Sequence, residues 1–327
     1  MATQEDLAGP AGTASLPRSI GAWLDGGRRR EVIAAGLTVA GLLFAGYLAF
    51  VGAPRKGTVG FDAFSYWSVV IDDPYRIPHG VIGGFVYSPV AARLFAPASL
   101  LPWPTFFWLW SAALLATALW LGGRRWLWVL AFPPVVVELY HGNVHLLIAA
   151  AIALGFRYPA AWAFVLLTKV TPGVGLVWFA VRREWRNLAI ALGVTAALVV
   201  VSLAVDFPLW REWLERDLLT SLRQPPDQGQ IAIPLLVRLP LAVAIVAWGA
   251  ATDRRWTVPL AATLALPVLW FAGFSILAAI PALNRPELRE RSGGRGVGTD
   301  RTSWRASGAV APGRPEAAAP DGPGVSP

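Results

Sequence analysis

Long apolar stretches without charged residues are the feature that most constrains this chain. A stretch of about 18 or more apolar residues is long enough to cross the roughly 30 Å hydrocarbon core of a bilayer as a helix. Several stretches qualify, among them 32–52, 103–121 and 188–205. Charged residues make up only 15% of the sequence, against roughly 25% in ordinary soluble domains. The sequence therefore predicts an all-α polytopic membrane protein with about eight to ten membrane segments.

The basic residues lie at the ends of the apolar stretches. Arginines cluster at 28–30, 124–125, 182–186 and 254–255. This distribution is typical of the positive-inside rule and unlike a basic nucleic-acid groove with interleaved aromatic residues, so we expect membrane lipids and no nucleic acid as partners. The 17 tryptophans, many beside these clusters, are typical of the headgroup region. The absence of cysteine excludes disulfides and thiolate chemistry.

The chain divides into three predicted parts. Residues 1–30 are polar and are predicted to be cytoplasmic, because Arg28–Arg30 precede the first apolar helix. Residues 31–280 form the predicted transmembrane domain, with extracytoplasmic loops at about 54–87 and 206–230. Residues 281–327 are rich in Pro, Gly and Arg and are predicted to be a disordered tail.

Two predicted membrane segments, 86–101 and 160–181, are irregular, whereas 258–280 is not. Residues 86–101 are too short for a full span and are interpreted as a short span or a re-entrant piece. Residues 160–181 are interrupted by Lys169-Val-Thr-Pro172, which a membrane protein tolerates only where the backbone lines a cavity or packs on protein. Residues 258–280 are predicted to form one uninterrupted span.

Asp62 is a candidate general base, in Gly-Phe-Asp-Ala-Phe-Ser-Tyr-Trp about ten residues beyond the first helix. The alternative is a solvated or helix-capping aspartate. Asp72 and Asp73 precede Pro74 and are interpreted as turn residues. Tyr87, in Phe-Val-Tyr-Ser-Pro, could bind a sugar hydroxyl, although this motif is also typical of a helix start.

Two further sites carry ionisable groups in apolar surroundings. His141 and His145 have the i, i+4 spacing of helical metal ligands, but no zinc-protease glutamate accompanies them. Polar contact with a headgroup, phosphate or sugar is therefore the favoured interpretation. Lys169 lies within an apolar stretch and requires an anionic partner. A lipid phosphate and the carboxylate of Glu138 are the candidate partners. Alternatively, the stretch is a broken hairpin whose tip carries Lys169 to the outer face of the membrane.

In order along the chain, these motifs are similar to those of glycosyltransferase family 87, in the GT-C superfamily. The resemblance covers about residues 30–205. It rests on Asp-Ala-Phe-Ser-Tyr-Trp from Asp62, on Tyr-Ser-Pro in place of Tyr-Pro-Pro, and on His-Gly-Asn in place of Gly-Gln-x-Asn. Thr-Lys-Val-Thr-Pro followed by Arg-Arg-Glu-Trp-Arg completes it, where the family shows Lys-Pro-x-Pro and a basic turn.

The resemblance implies a GT-C-like helical bundle in the plasma membrane with its active site on the extracytoplasmic side. It implies inverting transfer of a hexose, with mannose expected, from a polyprenyl-phosphate donor to a lipid or glycan acceptor, without a cofactor or metal. Asp62 would be the catalytic base. The donor phosphate would be bound by Lys169, His141 and Arg76, and the sugar or acceptor by Tyr66, Tyr87, Asn143 and His145.

Two other functions are compatible with the same residues. A small-solute or lipid transporter could use a mid-membrane lysine and broken helices to bind an anion, although no inverted repeat is visible. A non-catalytic membrane scaffold would need none of these side chains. Replacement of Asp62 by Asn separates the three, because only the enzyme requires the carboxylate for turnover.

Overall fold

The computed structural model describes residues 26–52, 55, 57–78, 80–219, 231 and 233–289. All of them lie in one compact unit, Met1–Ser292. Most of the predicted cytoplasmic N-terminus (1–25), the end of the second predicted loop (220–230) and the tail from residue 290 are outside the described residues.

The described residues are predominantly helical. The α-helices, in chain order, are α1 Gly26–Tyr47, α2 Phe61–Trp67, α3 Pro89–Phe95, α4 Trp103–Gly122, α5 Trp126–Leu130, α6 Pro133–His141, α7 His145–Gly155, α8 Trp162–Thr168, α9 Val177–Val181, α10 Trp185–Val205, α11 Phe207–Glu212, α12 Leu235–Ala251, α13 Thr257–Leu264, α14 Ala279–Leu283 and α15 Pro286–Arg289. Short segments of 3₁₀ or π-helix extend or join several of them, including Ala96–Leu100, Thr171–Leu176 and Phe271–Ala278. This architecture confirms the predicted all-α membrane class.

Three helical segments of the described chain are long and apolar enough to cross a membrane. They are Glu31–Gly52, Trp103–Leu130 and Trp185–Val205. The α6–α7 pair would be a fourth if it counted as one span, but the chain bends by 117° between the two helices. Shorter apolar helical segments of the described chain are Pro159–Thr168, Thr171–Val181, Leu235–Ala251 and Phe271–Leu283. The stretch predicted to be irregular, 86–101, contains α3 and the 3₁₀ segment Ala96–Leu100.

The peripheral and central helices differ in what their apolar side chains contact. In the most apolar stretch of Glu31–Gly52 only 6% of the residues are buried, and in that of Trp185–Val205 only 11%. These spans therefore present apolar surfaces to lipid. The opposite holds for α7, whose Leu146, Ile148 and Ile152 are fully buried. A helix that is apolar on every side belongs in the interior of such a bundle, and α7 occupies that position.

The predicted single span at 258–280 is wrong. Helix α13 ends at Leu264, and helical structure resumes only at Phe271, with Pro267 in the interval. The buried Arg238 of α12 binds the carbonyl groups that this break leaves free. Its guanidinium donates to Leu264 O at 2.5 Å, Leu266 O at 2.8 Å and Pro267 O at 3.2 Å. Irregular backbone inside an apolar bundle requires such partners.

The boundary of the predicted tail also differs from the structure. Residues 281–289 were assigned to it by composition, but they continue α14 and form α15. Arg157 Nη1 donates to Glu287 O at 3.0 Å, which attaches α15 to the end of α7. Apolar packing of Ala282 and Leu283, both buried, explains why helix extends past a composition that favours disorder.

We predict that Arg238→Met lowers the free energy of unfolding by about 2–4 kcal/mol, because it leaves several buried carbonyls without a donor. Thermal unfolding in detergent measures the change. Arg216→Met is the control, since its ion pair with Glu212 is partly solvent-exposed and such pairs contribute about 0.5 kcal/mol or less. Equal stability of the two variants would contradict the role assigned to Arg238.

Candidate functional site

The candidate site begins at the sharp bend between α6 and α7. Helix α6 ends at His141, and Gly142 follows with φ of 73°, a left-handed conformation that favours glycine. A Cβ atom on Gly142 would lie 2.7 Å from Ala63 Cβ. Trp110 Nε1 donates a hydrogen bond of 2.7 Å to Gly142 O. The bend is therefore packed directly against the residue that follows Asp62.

Asp62 lies in the first turn of α2, and two hydrogen bonds fix the start of this helix. Gly60 N donates to Tyr140 O at 2.9 Å, and the hydroxyls of Thr58 and Tyr140 are 3.1 Å apart. The N-cap of α2 is Gly60, and no side chain caps the helix. The capping alternative for Asp62 is thus not observed, and its carboxylate is available for other contacts.

The carboxylate of Asp62 is hydrogen-bonded to the side chain of Asn143. Asn143 Oδ1 accepts from Val144 N at 2.7 Å, so the amide NH₂ group is the part that donates to Asp62. Burial raises the pKa of Asp62, and the charge of Glu138 raises it further, whereas the Asn143 hydrogen bond and the two histidines lower it. A carboxylate with a raised pKa is a stronger base than a solvated one.

Two buried tyrosines lie beside Asp62. The hydroxyls of Tyr66 and Tyr87 are 2.8 Å apart, and Tyr75 donates to Tyr87 O at 2.9 Å. Burial raises the pKa of both Tyr66 and Tyr87, so both keep their protons and remain hydrogen-bond donors at neutral pH. Such hydroxyls suit recognition of a sugar.

Lys169 lies at the break between α8 and the following 3₁₀ turn. Ser88 Oγ donates to Leu167 O at 2.6 Å, which ties this break to the start of α3. Lys169 Nζ is 5.3 Å from the centroid of the Tyr87 ring, and the charges of Asp62 and Glu138 act on it. Within the described chain no carboxylate lies within 4.0 Å of Nζ, so the predicted alternative of a Lys169–Glu138 ion pair is not formed.

Glu138 instead binds the first turn of α7. Its carboxylate is fully buried. Glu138 Oε1 accepts from His145 N at 2.6 Å and from Leu146 N at 3.2 Å, and Oε2 is 2.9 Å from His145 Nδ1. Because the bend separates His141 from His145, the two do not share a helix face and their i, i+4 spacing is not that of a helical metal site.

The model of glycosyltransferase family 87 matches residues 85–289, which is more than half of the chain. The chain belongs to glycosyltransferase family 87. No curated protein and no solved structure matches it. The family membership makes it a membrane glycosyltransferase that requires a sugar donor and an acceptor.

The matched part of this glycosyltransferase contains most, but not all, of the predicted site. Asp62, Tyr66 and Arg76 precede residue 85, yet the first two are bound to residues of the matched part through Asn143 and Tyr87. The structure brings together seven of the predicted residues, namely Asp62, Tyr66, Tyr87, His141, Asn143, His145 and Lys169. Arg76 is exposed, and none of the hydrogen bonds and ion pairs of the described residues joins it to the others.

Some residues of the cluster were missed by sequence reasoning. Glu138 was considered only as a partner of Lys169, although an acidic residue inside an apolar stretch is itself a sign of function. Ser88 was noted only as a departure from the family pattern, and its hydrogen bond to Leu167 O could not be foreseen from spacing. No motif distinguishes Tyr75, whose hydrogen bond to Tyr87 O depends on the fold of the loop.

We predict that Gly142→Ala destabilises the glycosyltransferase by about 1–3 kcal/mol, because alanine is strained in the left-handed region and its Cβ would clash with Ala63. Thermal unfolding in detergent measures the effect. Gly193→Ala in α10 is the control, since a Cβ there meets nothing within 4 Å and alanine favours helix. Similar melting temperatures for the two variants would contradict the close approach at the bend.

Proposed function

We propose that the chain transfers a hexose, with mannose as the first candidate, from a polyprenyl-phosphate donor to an extracytoplasmic lipid or glycan acceptor with inversion. The observation that carries this proposal is the joint placement of Asp62 and Lys169 in one protein-enclosed cluster. A carboxylate that accepts a proton and a cation that stabilises a leaving phosphate are the two groups that this transfer requires.

The position of Asp62 along the bundle supports an extracytoplasmic site. Helix α2 packs against the start of α4, since the rings of Phe64 and Trp103 are 5.1 Å apart. Arg124 and Arg125 follow the other end of α4, about 30 Å away for a helix of this length. Because basic clusters favour the cytoplasmic side, the opposite end with Asp62 faces outward.

In the proposed reaction the Asp62 carboxylate accepts the proton of an acceptor hydroxyl. The hydroxyl oxygen forms a bond to the anomeric carbon on the face opposite the phosphate, and the bond from that carbon to the phosphate oxygen breaks. The polyprenyl phosphate leaves with the bonding electrons and gains one negative charge, which Lys169 stabilises. A single displacement of this kind inverts the anomeric centre, and the cycle ends with protonated Asp62.

The remaining cluster residues bind and orient the substrates. The hydroxyls of Tyr66 and Tyr87 and the amide of Asn143 provide hydrogen-bond donors around the Asp62 carboxylate. Tyr87 also places its ring face towards Lys169, an attractive arrangement that orients the ammonium group. The proposal needs no nucleotide, metal or other cofactor.

We predict that Asp62→Asn lowers mannose transfer at least about 100-fold, because general base catalysis contributes roughly 10²–10⁴-fold. The measurement is transfer of radiolabelled mannose from polyprenyl-phosphate mannose to lipid and glycan acceptors in membranes with matched expression. Asp72→Asn is the control, an exposed aspartate in the same loop, and should retain wild-type transfer.

The outcomes separate the proposed donor from the proposed base. Equal transfer by wild type and Asp62→Asn would remove Asp62 from the mechanism. Absence of transfer by wild type, followed by transfer from another polyprenyl-phosphate hexose, would reject mannose and retain the reaction. Absence of transfer from every donor of this class would reject the proposed function in favour of a non-catalytic scaffold.

We further predict that Asn143→Ala moves the acidic limb of the pH–rate profile to higher pH. The Asn143 hydrogen bond lowers the pKa of Asp62, so its removal raises that pKa and more of the base is protonated at a given pH. Initial rates of transfer between pH 4 and pH 8 measure the shift. A limb that stays in place or moves to lower pH would contradict the assigned contact.

A further inference from the structure

Glu138 makes one contact more than the capping of α7 requires. Glu138 Oε1 accepts the two backbone N–H groups at the start of α7, which satisfies the cap by itself. The second oxygen, Oε2, is 2.9 Å from His145 Nδ1. Side-chain exposure is 0% for Glu138 and 4% for His145, so the imidazole is held rigidly inside the protein.

This contact determines which imidazole nitrogen carries the proton. A carboxylate only accepts hydrogen bonds, so in the neutral imidazole the proton lies on Nδ1 and the lone pair on Nε2. Nε2 is buried and has no hydrogen-bond partner in the described part of the chain. Buried polar atoms are rarely left unpaired, and a ligand at the proposed reaction centre would provide the partner that Nε2 lacks.

His145 lies close to the proposed reaction centre. It is two residues from Asn143, whose amide binds Asp62, and it is near enough to Asp62 to interact with it electrostatically, as Glu138 does. Glu138 also acts on Lys169. A lone pair in this place binds a hydrogen-bond donor and repels the unprotonated oxygens of a phosphate. The hydroxyl groups of a sugar are donors of the required kind.

We infer that Glu138 is a positioning residue that holds His145 with Nε2 as the acceptor for a sugar hydroxyl beside Asp62. This inference rests on the proposed function, since it assigns one contact of the transferred or accepting sugar. It gives Glu138 a role distinct from capping α7, and it makes the tautomer of His145 part of substrate recognition.

Glu138→Gln separates positioning from capping. The amide oxygen of glutamine can accept the two backbone N–H groups that Oε1 accepts, so the cap is preserved. The amide NH₂ group would then face Nδ1 and donate to it, which moves the imidazole proton to Nε2. A donor replaces the acceptor at the sugar, as in other active sites where an amide replaces the orienting carboxylate of a histidine.

The tautomer is measured on the protein alone. We expect ¹⁵N NMR of the histidine-labelled protein, which contains three histidines, to show His145 protonated at Nδ1 and unprotonated at Nε2. His145→Ala assigns the signals, and Glu138→Gln should reverse the pattern. Protonation of Nε2 in the wild type would overturn the inference whatever the outcome of the transfer assay.

The ligand is tested with the same signals. Polyprenyl-phosphate mannose should shift the Nε2 resonance, and polyprenyl phosphate without sugar should not. An equal shift with both would indicate that the phosphate region, and not a sugar hydroxyl, affects His145. No shift at a donor concentration that saturates transfer would place the sugar away from Nε2, and either result would overturn the sugar contact.

Transfer kinetics then test whether Glu138 acts through His145. We predict that Glu138→Gln lowers kcat/KM roughly 10- to 100-fold, with the melting temperature near that of wild type. In a His145→Ala background the same substitution should have little further effect. Glu184→Gln, a cytoplasmic-side glutamate paired with Arg182, is the matched control and should retain full activity.

The kinetic outcomes are distinguishable from failure of the proposed function. Independent, multiplicative losses in the double variant would show that Glu138 acts without His145 and would overturn the inference. If the wild type transfers no mannose, the mannose donor is rejected, and the tautomer of His145 in wild type and Glu138→Gln still decides whether Glu138 positions the imidazole.

Discussion

A chain that bends inside an apolar bundle must provide hydrogen-bond partners for the backbone groups at the bend, because lipid and apolar side chains provide none. In this protein the bend between α6 and α7 depends on the buried carboxylate of Glu138, which accepts from two N–H groups at the start of α7. The placement of Asn143, His145 and, through Gly142 and Tyr140, of Asp62 all depends on this bend. The site therefore depends on one ionisable residue, which accepts hydrogen bonds from the backbone where the helix is broken.

The helix break after α13 is stabilised by a residue of the opposite charge. Arg238 donates to the carbonyl groups beyond the end of α13, as Glu138 accepts from the N–H groups at the start of α7. Each charge complements the partial charge of the helix terminus that it binds. In both places a charged side chain binds backbone groups that the interrupted helix leaves without a partner.

Sequence reasoning succeeded where a single local rule decides the outcome. Apolar length predicts the membrane class, and the interruption at Lys169 corresponds to a real break after α8. It failed where the outcome depends on contacts between distant residues. The partner of Glu138 could not be chosen between Lys169 and His145 without the bend angle, and the break after Leu264 depends on an arginine from another helix.

The attachment of α2 has a consequence for how this family member can vary. Gly60 and Thr58 are bound to Tyr140, and further along the loop Tyr66 and Tyr75 are both bound to Tyr87. Between these contacts Asp72, Asp73 and Arg76 are exposed, whereas Val69 and Tyr75 are buried. The exposed side chains can change without displacing Asp62, so the outward face of the loop is free to diversify while the buried residues hold the carboxylate in place.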